Sequence, residues 1–103
     1  MYWNITDKER LLQAFEIASS NRKLLEAFIG DLLTDKEIEQ NSNRLKVACM
    51  LYEGTSYKRI RNSSHLSPST IARLSKKLDN NDSGFSEIIK KFISKGKGRS
   101  YFD

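Results

Sequence analysis

The chain predicts an all-helical fold of six helices, and three observations carry that expectation. Strand signals are nearly absent, with no sustained polar–apolar alternation and no Asn-Gly or Asp-Gly hairpin turn. Apolar residues recur instead at three- and four-residue spacing along most of the chain. A capping residue (Thr6, Asn21, Thr34, Ser56 or Ser67) stands ahead of five of the patterned runs. At 103 residues there is room for one small domain. A monomer of this size buries a modest share of its apolar surface, so an oligomer sharing one core is consistent with the length.

Taken in order, Thr6 and Asp7 cap a first helix that places Leu11, Leu12, Phe15 and Ala18 on one face and ends near Ser19-Ser20. Asn21 caps a second, striped by Leu24, Leu25, Phe28, Ile29 and Leu32. Thr34 followed by Glu37 has capping-box spacing, and the third helix turns Ile38, Leu45, Ala48, Cys49 and Tyr52 inward before stopping at Gly54. Ser56 caps a short fourth helix to about Ser63. Ser67 caps a fifth, with Pro68 in the first turn where its missing N–H costs nothing. After Leu78 the string DNNDSG breaks the pattern, and a sixth helix carries Phe85, Ile88, Ile89 and Phe92. The tail KGKGRSYFD has no periodicity and reads as disordered, and Trp3 reads as packed or exposed rather than part of a site.

Charge is distributed unevenly. Residues 1–55 carry 7 Lys/Arg against 9 Asp/Glu, and residues 79–103 carry 5 against 4. Residues 56–78 carry Lys58, Arg59, Arg61, Arg73, Lys76 and Lys77 and no acid, so the whole excess of +5 traces to them. Positive charge gathered beside a near-neutral body is the footprint of polyanion binding.

The same stretch has the plan of a helix-turn-helix: Ser56–Ser63, then Ser64-His65-Leu66, then Ser67–Leu78. In its second helix Ile71, Leu74 and Leu78 face the core, leaving Ser69, Thr70, Ala72, Arg73, Lys76 and Lys77 outward. Small residues at the N-terminal turn allow close approach to base edges, and their hydroxyls can bond a base or a phosphate. The free N–H groups at that end favour a nearby phosphate. Lys58 and Arg61, three apart on the first helix, can track one backbone strand.

The order and spacing of DLLTDKEIEQNSNRLKVACMLYEGTSYKRI, SPSTIARLSKKL and SGFSEIIKKF resemble the Trp repressor superfamily, closest to its Trp-repressor-like branch of bacterial proteins. The likeness runs from about Asp31 to Phe92. Its specific parts are Leu33-Thr34 with Glu37, Arg44-Leu45 with Ala48, Glu53 to Tyr57, and Ser69 to Arg73. The resemblance implies an intertwined homodimer built from the first three helices and the last. It also implies two recognition helices in successive major grooves, about 34 Å apart. It assigns DNA contacts to Lys58, Arg61, Ser69, Thr70 and Arg73. In the Trp repressor the base contacts run largely through water, so no base-by-base code is read here.

This chain departs from the family pattern in two places. Tryptophan in the repressor lies between two arginines, matched by Arg44 and Arg73, against a glycine that is Leu74 here. Leu74 fills the indole slot, and Lys77 replaces a small hydroxyl residue. Arg44 and Arg73 keep the means to hold an anion, although pairing with Glu37 or Asp35 is the expected role of Arg44. DNA binding without tryptophan follows as the expectation. The second departure is in the turn, where glycine becomes His65, an apolar anchor becomes Ser64, and a small residue between the helices becomes Arg61. These replacements predict a hairpin that is loosely held or shifted in register.

Catalysis and metal binding find no support. The chain has one histidine, one cysteine, no paired carboxylates in an apolar setting and no Gly-rich phosphate loop. The start lacks the regions of a secretory signal, no run is long enough to span a membrane, and the lone Cys49 fits a reducing compartment, so the cytoplasm is expected. The sequence reads as a sequence-specific, DNA-binding transcriptional regulator, with RNA binding or protein interaction on the same scaffold as the alternative. Expected partners are double-stranded DNA and a second copy of the chain, with no cofactor and no small-molecule effector assigned. Residues 1–94 form the domain: 1–55 for core and dimerisation, 56–78 for the helix-turn-helix and 79–94 for a closing helix. Residues 95–103 form a flexible basic tail. The DNA-contacting set is Lys58, Arg61, Ser67, Ser69, Thr70, Arg73, Lys76 and Lys77, with Arg44 and Arg73 as a weaker ligand pair.

Overall fold

Local capping chemistry sets where each helix begins. In the computed structural model, which describes residues 5–80 and 83–95, every regular element is a helix. They are α1 (Asp7–Ala18), α2 (Arg22–Leu32), α3 (Asp35–Tyr52), α4 (Tyr57–Ser64), α5 (Pro68–Leu78) and α6 (Gly84–Lys95). Trp3 and the tail from residue 96 on lie outside the described residues. Thr6 Oγ1 accepts from the Glu9 N–H at 3.1 Å, and Asn21 Oδ1 from the Leu24 N–H at 3.0 Å. The capping box at α3 is complete: Glu37 donates its N–H to Thr34 Oγ1 at 3.1 Å, and the Glu37 carboxylate accepts from the Thr34 N–H at 2.9 Å. That backbone bond, helped by the hydroxyl, lowers the Glu37 pKa below its ordinary value. Each such cap stabilises its helix by about 1 kcal/mol.

Gly54 ends α3. Its φ of +83° lies in the left-handed region. The Gly54 N–H reaches Leu51 O at 3.1 Å and the Thr55 N–H reaches Met50 O at 2.9 Å. These two bonds make a Schellman motif, which satisfies carbonyls that the helix end would otherwise leave open.

The chain forms two compact units, residues 1–39 and 40–103. In the first, the Phe15 and Phe28 rings meet edge to face with centroids 5.2 Å apart, joining α1 to α2. Ala18 is the one buried side chain among the described residues of this unit. Leu11, Leu12, Leu24 and Leu32, expected on inward stripes, are exposed in the single chain.

The second unit builds a core on two faces of α3. Val47 and Met50 pack with Ile60 of α4 and with Ile71 and Leu74 of α5. Ala48 and Cys49 pack with Ile89 of α6. Phe85 lies against both clusters. Burial pushes the Cys49 thiol pKa up, with the Glu53 charge adding to the effect. Two expected core positions are corrected: Tyr52 is 39% exposed and Ile88 is 47% exposed. On α3 Val47 and Met50 take the core positions, and on α6 the buried residue is Ile89 rather than Ile88. Ser86 links the last two helices by donating its buried hydroxyl to Leu78 O at 3.3 Å.

Candidate nucleic-acid interface

The fixed point of α4 is Ile60, whose side chain is wholly buried against Val47, Met50 and Ile71. With Ile60 inward, Lys58, Arg59 and Arg61 are exposed. Ser56 Oγ caps the helix by accepting from the Arg59 N–H at 3.3 Å. At the other end α4 runs one residue beyond the expected Ser63, and the chain turns at His65 with φ +59° and ψ +19°.

The turn, whose residues predict a loosely held or shifted hairpin, is hydrogen-bonded both within itself and to α3. His65 takes the left-handed conformation in which the family carries glycine, and its N–H donates to Arg61 O at 3.0 Å. Ser64 is buried and acts through polarity instead of apolar packing. Its hydroxyl donates to Ile60 O at 2.6 Å and accepts from the Leu66 N–H at 3.3 Å. From α3, Asn43 Nδ2 donates to Ser64 O at 2.9 Å and Lys46 Nζ donates to Ser63 O at 3.2 Å. Two carbonyls in the last turn of α4, which has no intrahelical donor left for them, are thereby satisfied.

The second helix starts where expected. Ser67 Oγ caps α5 by accepting from the Thr70 N–H at 3.2 Å, with Pro68 in the first turn. The same oxygen lies 3.1 Å from Ser69 Oγ and 2.9 Å from Thr70 Oγ1, so three hydroxyls cluster at the N-terminus. Ile71 and Leu74 are buried. Ser67, Ser69, Ala72, Arg73, Lys76 and Lys77 are therefore exposed, and Thr70 is half-buried. Lys76 and Lys77 occupy the last turn, where a cation complements the helix dipole.

Arg44 and Arg73 line one cleft of about 380 Å³, together with Thr70, Leu74, Lys77 and Phe85. Among the described residues three cations and no acid border it. Among the described residues of its own unit Arg44 forms no ion pair. The Glu37 carboxylate is engaged by its own capping box. Leu74, the residue expected to fill an indole slot, is itself buried and forms part of this cleft's wall. A larger cleft of about 860 Å³ has Leu45, Phe85 and Ile88 for its apolar lining and Arg73, Lys76 and Lys77 for its charge. Lys58 and Arg61 border neither cleft.

Sequence reasoning left Asn43 and Lys46 out of the site. Their carbonyl partners lie 21 and 17 residues along the chain, a separation that helical periodicity does not register.

Among the described residues no group of His, Cys, Asp and Glu is arranged to hold a metal ion, and no helix is long and apolar enough to cross a membrane. No curated protein and no solved structure matches the chain. The family model described as Trp repressor protein matches residues 8–93, which takes in α1 and α2 as well as the segment that carries the resemblance in sequence. An all-helical chain with an ordered basic helix-turn-helix, matched over most of its length, belongs to the Trp repressor family of DNA-binding helix-turn-helix regulators.

Proposed function

We propose that this protein is a sequence-specific transcriptional regulator that binds duplex DNA as a homodimer, with α5 in the major groove and without tryptophan as corepressor. One observation carries the reading. Residues 56–78 combine six Lys/Arg and no acid with a hydrogen-bonded turn that leaves Ser69, Arg73, Lys76 and Lys77 exposed on one helix. Lys58 and Arg61 take phosphates beside the groove, while Ser67, Ser69, Thr70 and Arg73 approach base edges directly or through water. Lys76 and Lys77 extend the positive face along α5.

Support for the dimer comes from the first unit, where Leu11, Leu12, Ile17, Leu24 and Leu32 are exposed in one chain. Apolar area on that scale, on helices without a buried face of their own, calls for a covering surface. Support for tryptophan independence comes from Leu74, which lines the cleft of Arg44 and Arg73 at the position where the resemblance in sequence puts a glycine. On this reading residues 1–55 dimerise, 56–78 bind DNA and 79–94 close the subunit. The reading places the protein in the cytoplasm.

Fluorescence anisotropy of labelled mixed-sequence duplex, followed across a salt series with and without tryptophan, tests the reading. Binding should weaken steeply with salt and be indifferent to tryptophan. Selection from random duplex should then yield an operator. Tighter binding to single strands than to duplex would move the assignment to RNA. Absence of binding at low salt would move it to an acidic protein partner. Micromolar binding of tryptophan by calorimetry would refute independence from the amino acid.

A further inference from the structure

We infer that Asn43 is a positioning residue for the recognition helix, a role that rests on the DNA-binding reading above. Its side chain holds the strained turn from α3 and so sets the docking angle of α5. Asn43 Nδ2 donates to Ser64 O at 2.9 Å across 21 residues of chain. A carbonyl only accepts, so the amide nitrogen must face it, and the orientation of the side chain is settled by chemistry.

The turn needs an external hold. His65 at φ +59° places a Cβ in a conformation that penalises every residue except glycine, and such a geometry persists only where surrounding contacts over-determine it. Local bonds supply part of the restraint through the Ser64 hydroxyl and the His65 N–H. They all lie within α4 and the turn, however, and cannot fix the pair of helices against the core. Asn43 can. It is half-buried, and Val47, one helical turn further along α3, is wholly buried in the cluster that also holds Ile60 and Ile71. The Lys46 bond to Ser63 O is exposed and made by a long side chain, so it is the weaker of the two ties. Only His65, Leu66 and Ser67 separate Ser64 from α5, so a shift of the Ser64 carbonyl passes directly into the first turn that bears Ser67, Ser69 and Thr70.

The test uses the full chain carrying Asn43→Ala, Asn43→Asp, Lys46→Met or His65→Gly, and the double variant Asn43→Ala/His65→Gly. Two quantities are read: amide hydrogen exchange at His65 and Leu66, and affinity for a selected operator against mixed-sequence duplex. Asn43→Ala should raise exchange at the two turn amides about tenfold or more, with the core amides of α3 unchanged. Operator affinity should fall about tenfold and mixed-sequence affinity less than about twofold, because phosphate contacts position while base contacts specify. Asn43→Asp should be worse, since it sets a carboxylate against a carbonyl, and Lys46→Met should be milder. Adding His65→Gly to Asn43→Ala should recover most of the operator preference by removing the strain.

Unchanged turn exchange in Asn43→Ala would overturn the inference. An equal loss of operator and mixed-sequence binding with raised exchange throughout the unit would do the same, because that is the signature of general destabilisation. If the wild-type chain binds no duplex, the DNA reading and the role in docking fail together, and exchange at the turn alone then decides whether the tie exists.

Discussion

In residues 40–103, Val47, Ala48, Ile60 and Ile71 are fully enclosed by other parts of the same chain. Among the described residues of 1–39, Ala18 alone is buried, while Leu24 stays 46% exposed and Leu11, Leu12, Ile17 and Leu32 are exposed as well. Both units have well-capped helices, so capping does not explain the contrast. It comes from the number of elements available: four helical segments can enclose an apolar centre, whereas two helices joined by one aromatic contact cannot. Charge follows the same division. The acid-free segment lies on the unit that supports itself, and the excess of acid lies almost entirely on the helices with uncovered leucines and the start of α3.

The sharpest way to break this comparison is to damage the self-supporting core. Ile71→Ala leaves a cavity beneath α5 and should cost about 2–5 kcal/mol, read as a lower urea midpoint. A cost below about 1 kcal/mol would mean that the second unit also leans on a partner. In the first unit Leu24→Gln should scarcely alter a lone chain but should weaken self-association by roughly ten- to a hundredfold, corresponding to the ~1.5–3 kcal/mol of a buried leucine. Sedimentation equilibrium checks this, and a monomeric wild type would remove the need for a covering surface.

Ser64→Ala removes the acceptor of the Leu66 N–H and the shorter of two hydroxyl donors to Ile60 O, which keeps the Ser63 hydroxyl at 3.4 Å. It should destabilise the second unit by about 1–2 kcal/mol, measured by thermal melting. Lys58→Ala should leave the melt unchanged and reduce the slope of log affinity against log salt by about 1, with equal effect on all duplex sequences. The smallest effect belongs to Glu37. Its folded pKa is depressed, so its contribution is fully present above its ordinary value of 4.5 and is lost as pH falls through the folded value. The difference in melting temperature between wild type and Glu37→Gln should therefore close as pH drops below 4.5, where a constant difference would exclude the capping carboxylate as its source.

Helix starts were legible in the sequence because a cap is a local device. Thr6, Asn21, Thr34 with Glu37, Ser56 and Ser67 each act within three residues of themselves. The inward set of α5 was legible for a similar reason, since one apolar stripe met one core. On α3 the helix packs on two sides, so a single stripe chose Tyr52 and passed over Val47 and Met50. At the turn, Ser64 and His65 read as losses because propensity rates a residue without its neighbours. Their partners Asn43 and Lys46 come from a different helix, and only the folded chain places those donors beside the turn.

The hydroxyls gathered at the start of α5 have a consequence for what that end can present to a ligand. Ser67 Oγ already accepts from the Thr70 N–H, so it has one proton to give and room to accept one more. If it gives its proton to Ser69, Thr70 donates to Ser67, and the Ser69 proton is free to point outward. If it gives its proton to Thr70, Ser69 donates instead, and the outward proton belongs to Thr70. The circuit can run in either direction without moving a heavy atom, exchanging donor and acceptor between two adjacent positions. A helix end built this way can meet more than one pattern of polar groups without rearranging its side chains.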